Sequence, residues 1–202
     1  MNFLFRSILI IIIRTVLIKK GFYMTKQIPS VTFQTRVRDD SISGDNPFKW
    51  ESKSTDQLFS NKKTILFSLP GAFTPTCSTF QLPDFNNLYN EFKEFGIEEI
   101  YCISVNDSFV MNAWAKYHEV GNVKVIPDGN GEFTRKMGML VKKDNLGFGY
   151  RSWRYALILE NKNIIQSFVE PGYSDNAEDD PYGESSPQNI LKYLKNESKL
   201  AG

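Results

Sequence analysis

Cysteine and histidine are scarce in this sequence, with two cysteines and one histidine among 202 residues. So few cysteines cannot form the disulfide framework of a small secreted protein, and without a CxxC pair or a Cys/His cluster there is no zinc motif. The glycine-rich pattern of a phosphate-binding loop is also missing, because GNG at 129–131 is an ordinary turn. We therefore expect neither a metal nor a cofactor.

Positive charge is missing from the main body of the chain. The formal net charge is +1, but residues 1–38 hold seven basic side chains and no acidic one, which leaves 17 basic against 23 acidic side chains in residues 39–202. A protein that binds nucleic acid needs clustered lysine and arginine on its folded surface. The negative body therefore argues against nucleic acid as a partner.

Long apolar runs are missing too, although the beginning of the chain is strongly apolar. SILIIII at residues 7–13 is interrupted by Arg14, and VLI at 16–18 runs into two lysines. No stretch reaches the ~18 to 20 residues that a membrane span needs. A short apolar segment with basic flanks is typical of a signal or transit peptide.

We predict a targeting segment over residues 1–26 and a single folded domain over residues 27–202. The targeting segment would direct the protein to an organelle, either a plastid-like compartment such as an apicoplast or a mitochondrion. A short membrane anchor is the alternative interpretation. Met24 could also serve as a downstream start that yields a cytoplasmic form.

From about residue 28 the hydrophobic pattern becomes that of a globular domain. Alternation over 31–37 before a turn at 44–47 predicts an opening hairpin, and TILFSL at 64–69 predicts a central strand covered on both faces. The further predicted strands are 97–105, 123–126, 153–159 and 164–169, and the predicted helices are 80–95, 109–120, 132–137 and 187–194. This order predicts an α/β fold with helices on both faces of a sheet.

The run PGAFTPTCS at residues 70–78 carries the strongest chemical signal. It follows a predicted strand and precedes a predicted helix, so Cys77 falls in a first helical turn, three residues after Thr74. Unpaired peptide N–H groups and the positive end of the helix dipole stabilise an anion there, and therefore a thiolate. This context indicates a reactive cysteine rather than a half-buried structural one.

The complete Pro-x-x-x-Thr-x-x-Cys pattern at residues 70–77 resembles that of the peroxiredoxins, thiol peroxidases of the thioredoxin fold. The wider form is similar to the type II, or peroxiredoxin-five, subfamily, and YCISVNDSFV at 101–110 and GYRSWRYA at 149–156 agree with it. The resemblance spans about residues 28–196 and includes one-cysteine antioxidant proteins of plants and parasites. It implies a thioredoxin-like fold, with a central mixed sheet flanked by helices and an N-terminal β-hairpin extension.

The expected reaction is the reduction of hydrogen peroxide and organic hydroperoxides by the Cys77 thiolate, which becomes a sulfenic acid. The resemblance assigns the fixed positive charge to Arg154 and not to Arg151, and a planar guanidinium can touch the sulfur and a peroxide oxygen together. We expect Thr74 to accept from the peroxide and donate to the thiolate, and Pro70 to shield the sulfur from water. Taken singly, these residues could instead be an exposed charge, a helix N-cap and a strand terminator.

The second cysteine leaves two interpretations open. Cys102 lies between apolar neighbours on a predicted strand, which favours a small buried hydrophobe, but it could also resolve the sulfenic acid as a disulfide with Cys77. Similar animal enzymes resolve with a cysteine late in the chain, and DPYGESSP at 180–187 has none. The resemblance therefore favours a one-cysteine cycle that is reset by glutathione with glutaredoxin or, as a less favoured donor, thioredoxin. It also implies a homodimer.

Other candidates carry weaker signals. His118, on a predicted helix, is interpreted as a surface or capping residue, and the acidic run at 175–180 as a solvated loop. An apolar rim that admits alkyl hydroperoxides or a partner could be formed by four aromatic residues, which ordinary core packing would also explain: Phe73, Phe80, Phe148 and Trp153.

Two further functions stay open at this level. One is a thioredoxin-fold binding or chaperone module with an inert thiol, and the other is a redox sensor that passes its oxidation to a partner protein. The intact set of Thr74, Cys77 and Arg154 disfavours the inert module. A dithiol–disulfide oxidoreductase is disfavoured because Thr74 stands where a CxxC motif would carry its first cysteine.

Overall fold

The computed structural model describes residues 26–201. The predicted targeting segment lies almost wholly outside this range. The strands are β1 Thr32–Arg38, β2 Phe48–Ser54, β3 Lys63–Ser68, β4 Glu99–Ser104, β5 Val123–Pro127, β6 Leu140–Lys142, β7 Tyr150–Ser152, β8 Tyr155–Glu160 and β9 Asn163–Val169. The helices are α1 Thr55–Phe59, α2 Leu82–Asn87, α3 Tyr89–Lys93, α4 Ser108–Tyr117, α5 Glu132–Lys136 and α6 Pro187–Ala201, together with a π-helical turn Cys77–Gln81 and a 3₁₀ turn Asp144–Leu146.

A mixed five-stranded sheet forms the centre, in the order β5-β4-β3-β8-β9. β3, β4 and β5 run parallel to one another, whereas β8 is antiparallel to β3 and to β9. β1 and β2 form a separate N-terminal hairpin, and β6 and β7 form a second small one. The predicted α/β fold with a central mixed sheet, flanking helices and an N-terminal β-hairpin is confirmed.

The central strand β3 has both faces covered, as its nearly continuous apolar run predicts. Ile65 and Phe67 belong to one buried cluster, while Leu66 between them belongs to the other. Phe67 stacks on Phe85 of α2 with ring centroids 4.0 Å apart, and so fastens the helix that follows the reactive cysteine to the sheet. Each buried aromatic of this kind contributes roughly 1.5 to 3 kcal/mol by leaving water.

The predicted helix over 80–95 is where the structure departs most from the sequence pattern. Helical structure already begins at Pro75, widens into the π-helical turn and is interrupted at Leu88 before α3. The N–H of Leu82 donates to the carbonyl of Cys77, five residues back. Pro83 follows directly and has no N–H to offer, so regular α-helical bonding cannot continue through this turn.

Other boundaries shift for simpler reasons. α1 was not predicted, yet Ser54 and Gln57 form a reciprocal capping box at its start. The polar stretch 142–149 contains the 3₁₀ turn and joins β6 to β7. The final helix extends to residue 201, beyond the predicted end at 194.

Within residues 26–201, no helix combines the length and the apolar character needed to cross a bilayer.

Candidate active site

Cys77 lies in the first helical turn that follows strand β3. It is the third helical residue after the loop 69–74, and its side chain is completely buried. Pro75 occupies the first helical position, where a missing N–H costs nothing. The predicted placement of Cys77 at a helix start is confirmed, and the sulfur is more enclosed than the pattern alone indicates.

Arg154 contacts the sulfur directly. Its Nη1 lies 3.5 Å from Cys77 Sγ and also donates to Oε1 of Gln81. Its Nη2 lies 2.6 Å from each carboxylate oxygen of Asp180. Burial alone would lower the pKa of Arg154, but the negative charges of Cys77 and Asp180 raise it above its ordinary value. A permanent cation therefore faces the thiol.

Sheet register explains how a residue so distant in sequence reaches the cysteine. Tyr155 of β8 pairs with Ser68 at the end of β3, so Arg154 falls beside the loop that leaves β3. The hydroxyls of Ser68 and Ser152 are 2.7 Å apart, which ties β3 to the chain just before Arg154. The guanidinium is only 2% exposed. Its surroundings are therefore set by the sheet and not by solvent.

The loop between β3 and the helix is held in one shape. The backbone of Ala72 donates to Asn106 Oδ1 at 3.0 Å, and Phe73 adopts a positive φ of 62°. A Cβ on Gly71 would lie 3.3 Å from Arg151 Nη1 and 3.3 Å from Thr74 Cγ2, so the close approach favours glycine. Such fixed geometry suits a loop that presents a reacting group.

Thr74 and Pro70 both belong to the segment that joins β3 to the helix of Cys77. The hydroxyl of Thr74 donates to the carbonyl of Gly71 at 2.7 Å, so its proton is directed to the backbone here. The predicted donation from Thr74 to the thiolate stays a prediction. Pro70 is buried, and its predicted shielding of the sulfur stays a prediction. Arg151 instead donates to the carbonyls of Phe148 and Val105, at 3.0 and 3.1 Å.

Two partners of Arg154 were not identified from the sequence. Gln81 stands four residues after Cys77, and helical spacing is a signal that could have placed both on one face. Asp180 belongs to the acidic run 175–180 and is exposed, as the predicted solvated loop requires, but its pairing with Arg154 was not predicted. Its ion pair with Arg154 spans 26 positions, which no local pattern reports.

A buried carboxylate fastens the segment that carries Asp180. Glu170, 3% exposed, accepts from the backbone N–H of Gly183 at 2.9 Å and from the N–H and hydroxyl of Ser185 at 2.8 and 2.7 Å. The carbonyl of Glu170 accepts from Trp153 Nε1 at 2.9 Å. Glu170 thus links the end of β9, the approach to Arg154 and the chain just after Asp180.

Cys102 occupies the middle of β4, opposite Phe67 of β3 and Val125 of β5. Burial raises the pKa of its thiol well above the usual value of 9.0, and the negative charge of Cys77 adds to the shift. Both cysteines are free and buried. A thiol that resists ionisation is a poor nucleophile, which agrees with the interpretation of Cys102 as a buried hydrophobe.

His118 is the C-cap residue of α4, in agreement with the capping interpretation.

A cavity of about 350 Å³ opens beside Pro70 and Thr74. Its walls also include Leu146 and Phe148 on one side and residues 177–180 on another. Phe148 therefore does line an apolar recess, as the predicted rim requires. Trp153 is buried, so it packs in the core instead, whereas Phe73 and Phe80 are exposed.

Comparison with known proteins adds family evidence to this geometry. A family model described as Redoxin matches residues 28–182. A protein named "Peroxiredoxin" from Rhizobium etli is 69% identical over 172 residues, which covers 85% of this chain and 96% of that protein. The crystal structure of Plasmodium falciparum antioxidant protein, described as a 1-Cys peroxiredoxin, is 42% identical with a TM-score of 0.78 and covers 84% of this chain and 98% of that one. Reduced Prx3 from Vibrio vulnificus in complex with H₂O₂ is 29% identical with a TM-score of 0.73, covering 88% and 99% of the two chains.

Proposed function

Because the chain belongs to the peroxiredoxins, and is therefore a thiol-dependent peroxidase, we propose that Cys77 is the thiol that attacks the peroxide. The observation that carries this assignment is the contact of 3.5 Å between Arg154 Nη1 and Cys77 Sγ. The other cysteine lies inside the sheet and has a raised pKa. The helix start and the buried guanidinium both favour negative charge on Cys77.

The proposed step forms one bond and breaks another. The Cys77 thiolate attacks one oxygen of the hydroperoxide, the O–O bond breaks, and the second oxygen leaves with a proton as water or an alcohol. Cys77 is oxidised to a sulfenic acid and the peroxide is reduced. Negative charge moves along the O–O bond in this step, so donors aimed at both oxygens lower the barrier.

Arg154, Thr74 and Pro70 would surround the reacting atoms. Arg154 keeps its charge throughout, and its Nε–H is buried with no hydrogen-bond partner among residues 26–201, which leaves it available to a peroxide oxygen. Thr74 would turn its hydroxyl from Gly71 to accept from the peroxide and donate to the sulfur. Pro70 would keep water away from the thiolate.

Hydrogen peroxide and small organic hydroperoxides are the proposed substrates. The cavity beside Thr74 has room for an alkyl group, and Leu146 and Phe148 give it an apolar wall. The Vibrio vulnificus relative was solved with H₂O₂ bound. A comparison of kcat/KM for hydrogen peroxide and tert-butyl hydroperoxide in wild type and Phe148→Ser tests the wall: only the organic substrate should lose rate.

An external thiol would reset the enzyme, with glutathione and glutaredoxin as the proposed donors and thioredoxin as the alternative. Cys102 is buried in the sheet with a raised pKa, and the segment 180–187 contains no cysteine. The Plasmodium falciparum relative is described as a 1-Cys peroxiredoxin. Turnover with glutathione and glutaredoxin should exceed turnover with thioredoxin and its reductase. The reverse order would assign the donor to thioredoxin.

A homodimer is the proposed assembly. Phe109 and Tyr117 are exposed on α4, where Phe109 packs on exposed Trp50 and Tyr117 packs on exposed Phe73 of the active-site loop. Exposed aromatic pairs of this kind, here two along one helix, are typical of a surface that another chain covers. Sedimentation of wild type and of Phe109→Ser/Tyr117→Ser tests the assignment, since the double variant should sediment as a monomer.

Residues 1–26 are proposed to be a targeting segment in front of a peroxiredoxin domain over 27–202, and the family match begins at residue 28. Delivery to a plastid-like compartment or a mitochondrion follows from the basic and apolar composition of the segment. A fluorescent fusion of residues 1–26 should enter an organelle, whereas a fusion that starts at Met24 should stay in the cytoplasm.

The catalytic assignment itself is tested by peroxide consumption. Reduced wild-type protein should consume one equivalent of hydrogen peroxide rapidly without added thiol. Cys77→Ser should consume it no faster than free solution chemistry, while Cys102→Ala should match wild type. Equal rates for Cys77→Ser and wild type would refute the proposal.

A further inference from the structure

The guanidinium of Arg154 has its terminal N–H groups fully engaged. Nη1 serves Cys77 and Gln81, and Nη2 lies 2.6 Å from both carboxylate oxygens of Asp180. Cys77 and Gln81 are completely buried, whereas the side chain of Asp180 is 46% exposed. Asp180 is thus the only one of these three partners that solvent reaches.

Asp180 is delivered by a segment attached at both ends, here called the strap, residues 171–182. Near its start, Asp175 accepts from the backbone N–H of Lys142 at 2.8 Å, and the N–H of Asn176 donates to the carbonyl of Lys142 at 2.8 Å. Just beyond its end, Glu170 holds Gly183 and Ser185. The carboxylate of Asp180 is therefore presented from a fixed segment and not from a free loop.

This pair differs from an ordinary surface salt bridge. Exposed pairs contribute little because water competes for both partners. Here water reaches one partner only, since Arg154 is 2% exposed. The ring of Tyr182 lies 5.7 Å from Arg154 Cζ and encloses the guanidinium further. A carboxylate bound to Nη2 fixes the plane of the guanidinium, and Nη1 is then directed at the sulfur.

We propose that Asp180 is a positioning residue for the peroxide step and acts through Arg154. The inference rests on the proposed roles of Cys77 and Arg154. Asp180 holds the directed N–H groups of Arg154 where the sulfur and a peroxide oxygen need them. Asp180 does not supply the positive charge that favours the thiolate. Its own negative charge disfavours a thiolate.

These two contributions of Arg154 can be measured separately. Alkylation of Cys77 by neutral iodoacetamide needs a thiolate but no directed N–H group. Reaction with hydrogen peroxide needs both, because charge must be stabilised on the peroxide oxygens as they separate. Loss of the Asp180 carboxylate should therefore slow the peroxide reaction and leave alkylation as fast as before or faster.

The experiment uses the full-length, reduced protein at neutral pH. Second-order rate constants for hydrogen peroxide and for iodoacetamide are measured for wild type, Asp180→Asn, Asp180→Glu and Glu184→Gln. Glu184 is the matched control, because its exposed carboxylate belongs to the same acidic region and does not pair with Arg154.

We expect Asp180→Asn to lower the peroxide rate constant about tenfold, equivalent to about 1.4 kcal/mol. Its iodoacetamide rate constant should equal or exceed that of wild type. Asp180→Glu should recover most of the peroxide rate, and Glu184→Gln should match wild type for both reagents.

Two results would overturn the inference. A peroxide rate for Asp180→Asn within twofold of wild type would show that Arg154 needs no help from Asp180. A parallel fall in both rate constants would show a general structural loss. Failure of the proposed function is distinguishable, since Cys77→Ser would then consume peroxide as fast as wild type.

Discussion

Tyr155 of β8 lies opposite Ser68 of β3, and this pairing brings Arg154 to the loop that carries Cys77. The guanidinium of Arg154 and the sulfur of Cys77 belong to residues 77 positions apart, yet Nη1 and Sγ are separated by 3.5 Å. The antiparallel register sets this distance, and the helix start sets the direction of the sulfur. The site is therefore a product of the sheet as much as of the cysteine motif.

Substitution of Arg154 should cost more than any other charge change at the site. We expect Arg154→Gln to lower the rate constant for peroxide by at least about 100-fold, because the step loses a preorganised charge worth roughly 2.7 to 4 kcal/mol. Arg154→Lys should recover little, since an ammonium cannot reproduce the planar contacts to Cys77, Gln81 and Asp180. Stopped-flow measurement of peroxide decay gives the values.

The control for this substitution is Arg135→Gln. Arg135 lies exposed in the last turn of α5, outside the contacts of the site. Its variant should react like wild type. A rate for Arg154→Gln close to that of Arg135→Gln would contradict the assigned role.

Cys102 should remain unreactive in the folded protein. Burial and the charge of Cys77 raise the pKa of the Cys102 thiol, so it stays protonated and uncharged at neutral and mildly alkaline pH. Iodoacetamide under native conditions should label Cys77 alone, and label on Cys102 should appear only after denaturation. Peptide mapping measures this. Equal labelling of both cysteines in the native state would refute the prediction.

What the sequence could predict depended on how far apart in the chain the interacting residues lie. β3 and the helix start at Cys77 follow from local patterns, and Arg154 was found because it lies in a run similar to a known family. Gln81, Asp180 and Glu170 were missed as a group. Their partners lie far away in the sequence. The residues next to an acidic side chain in a turn-rich run do not indicate that it pairs with a buried arginine.

The π-helical turn was missed for a related reason. The apolar spacing over 80–95 predicts one regular helix, because Leu82, Phe85 and Phe92 recur at helical intervals and all three are buried. Pro83 lies in the first turn of α2, Leu82–Asn87. In the structure, the irregularity lies in the π-helical turn before α2, and this turn includes Cys77 itself.

Glu170 should stabilise the fold by holding the chain just after the strap. We expect Glu170→Gln to lower the free energy of unfolding by about 2 to 3 kcal/mol, because the N–H of Gly183 and the buried N–H and hydroxyl of Ser185 lose a charged acceptor. Urea denaturation at fixed protein concentration measures this, with exposed Glu160→Gln as the control expected to change it by less than about 0.5 kcal/mol. Equal stabilities for the two variants would contradict the role assigned to Glu170.

The central claim is that Cys77 attacks the peroxide and that an outside thiol resets it. Mass spectrometry of the reduced protein after one equivalent of hydrogen peroxide tests this most directly. The claim predicts one added oxygen atom, trapped on Cys77 as a sulfenic acid, with Cys102 still a free thiol. Loss of two hydrogen atoms through a disulfide between Cys77 and Cys102 would contradict it.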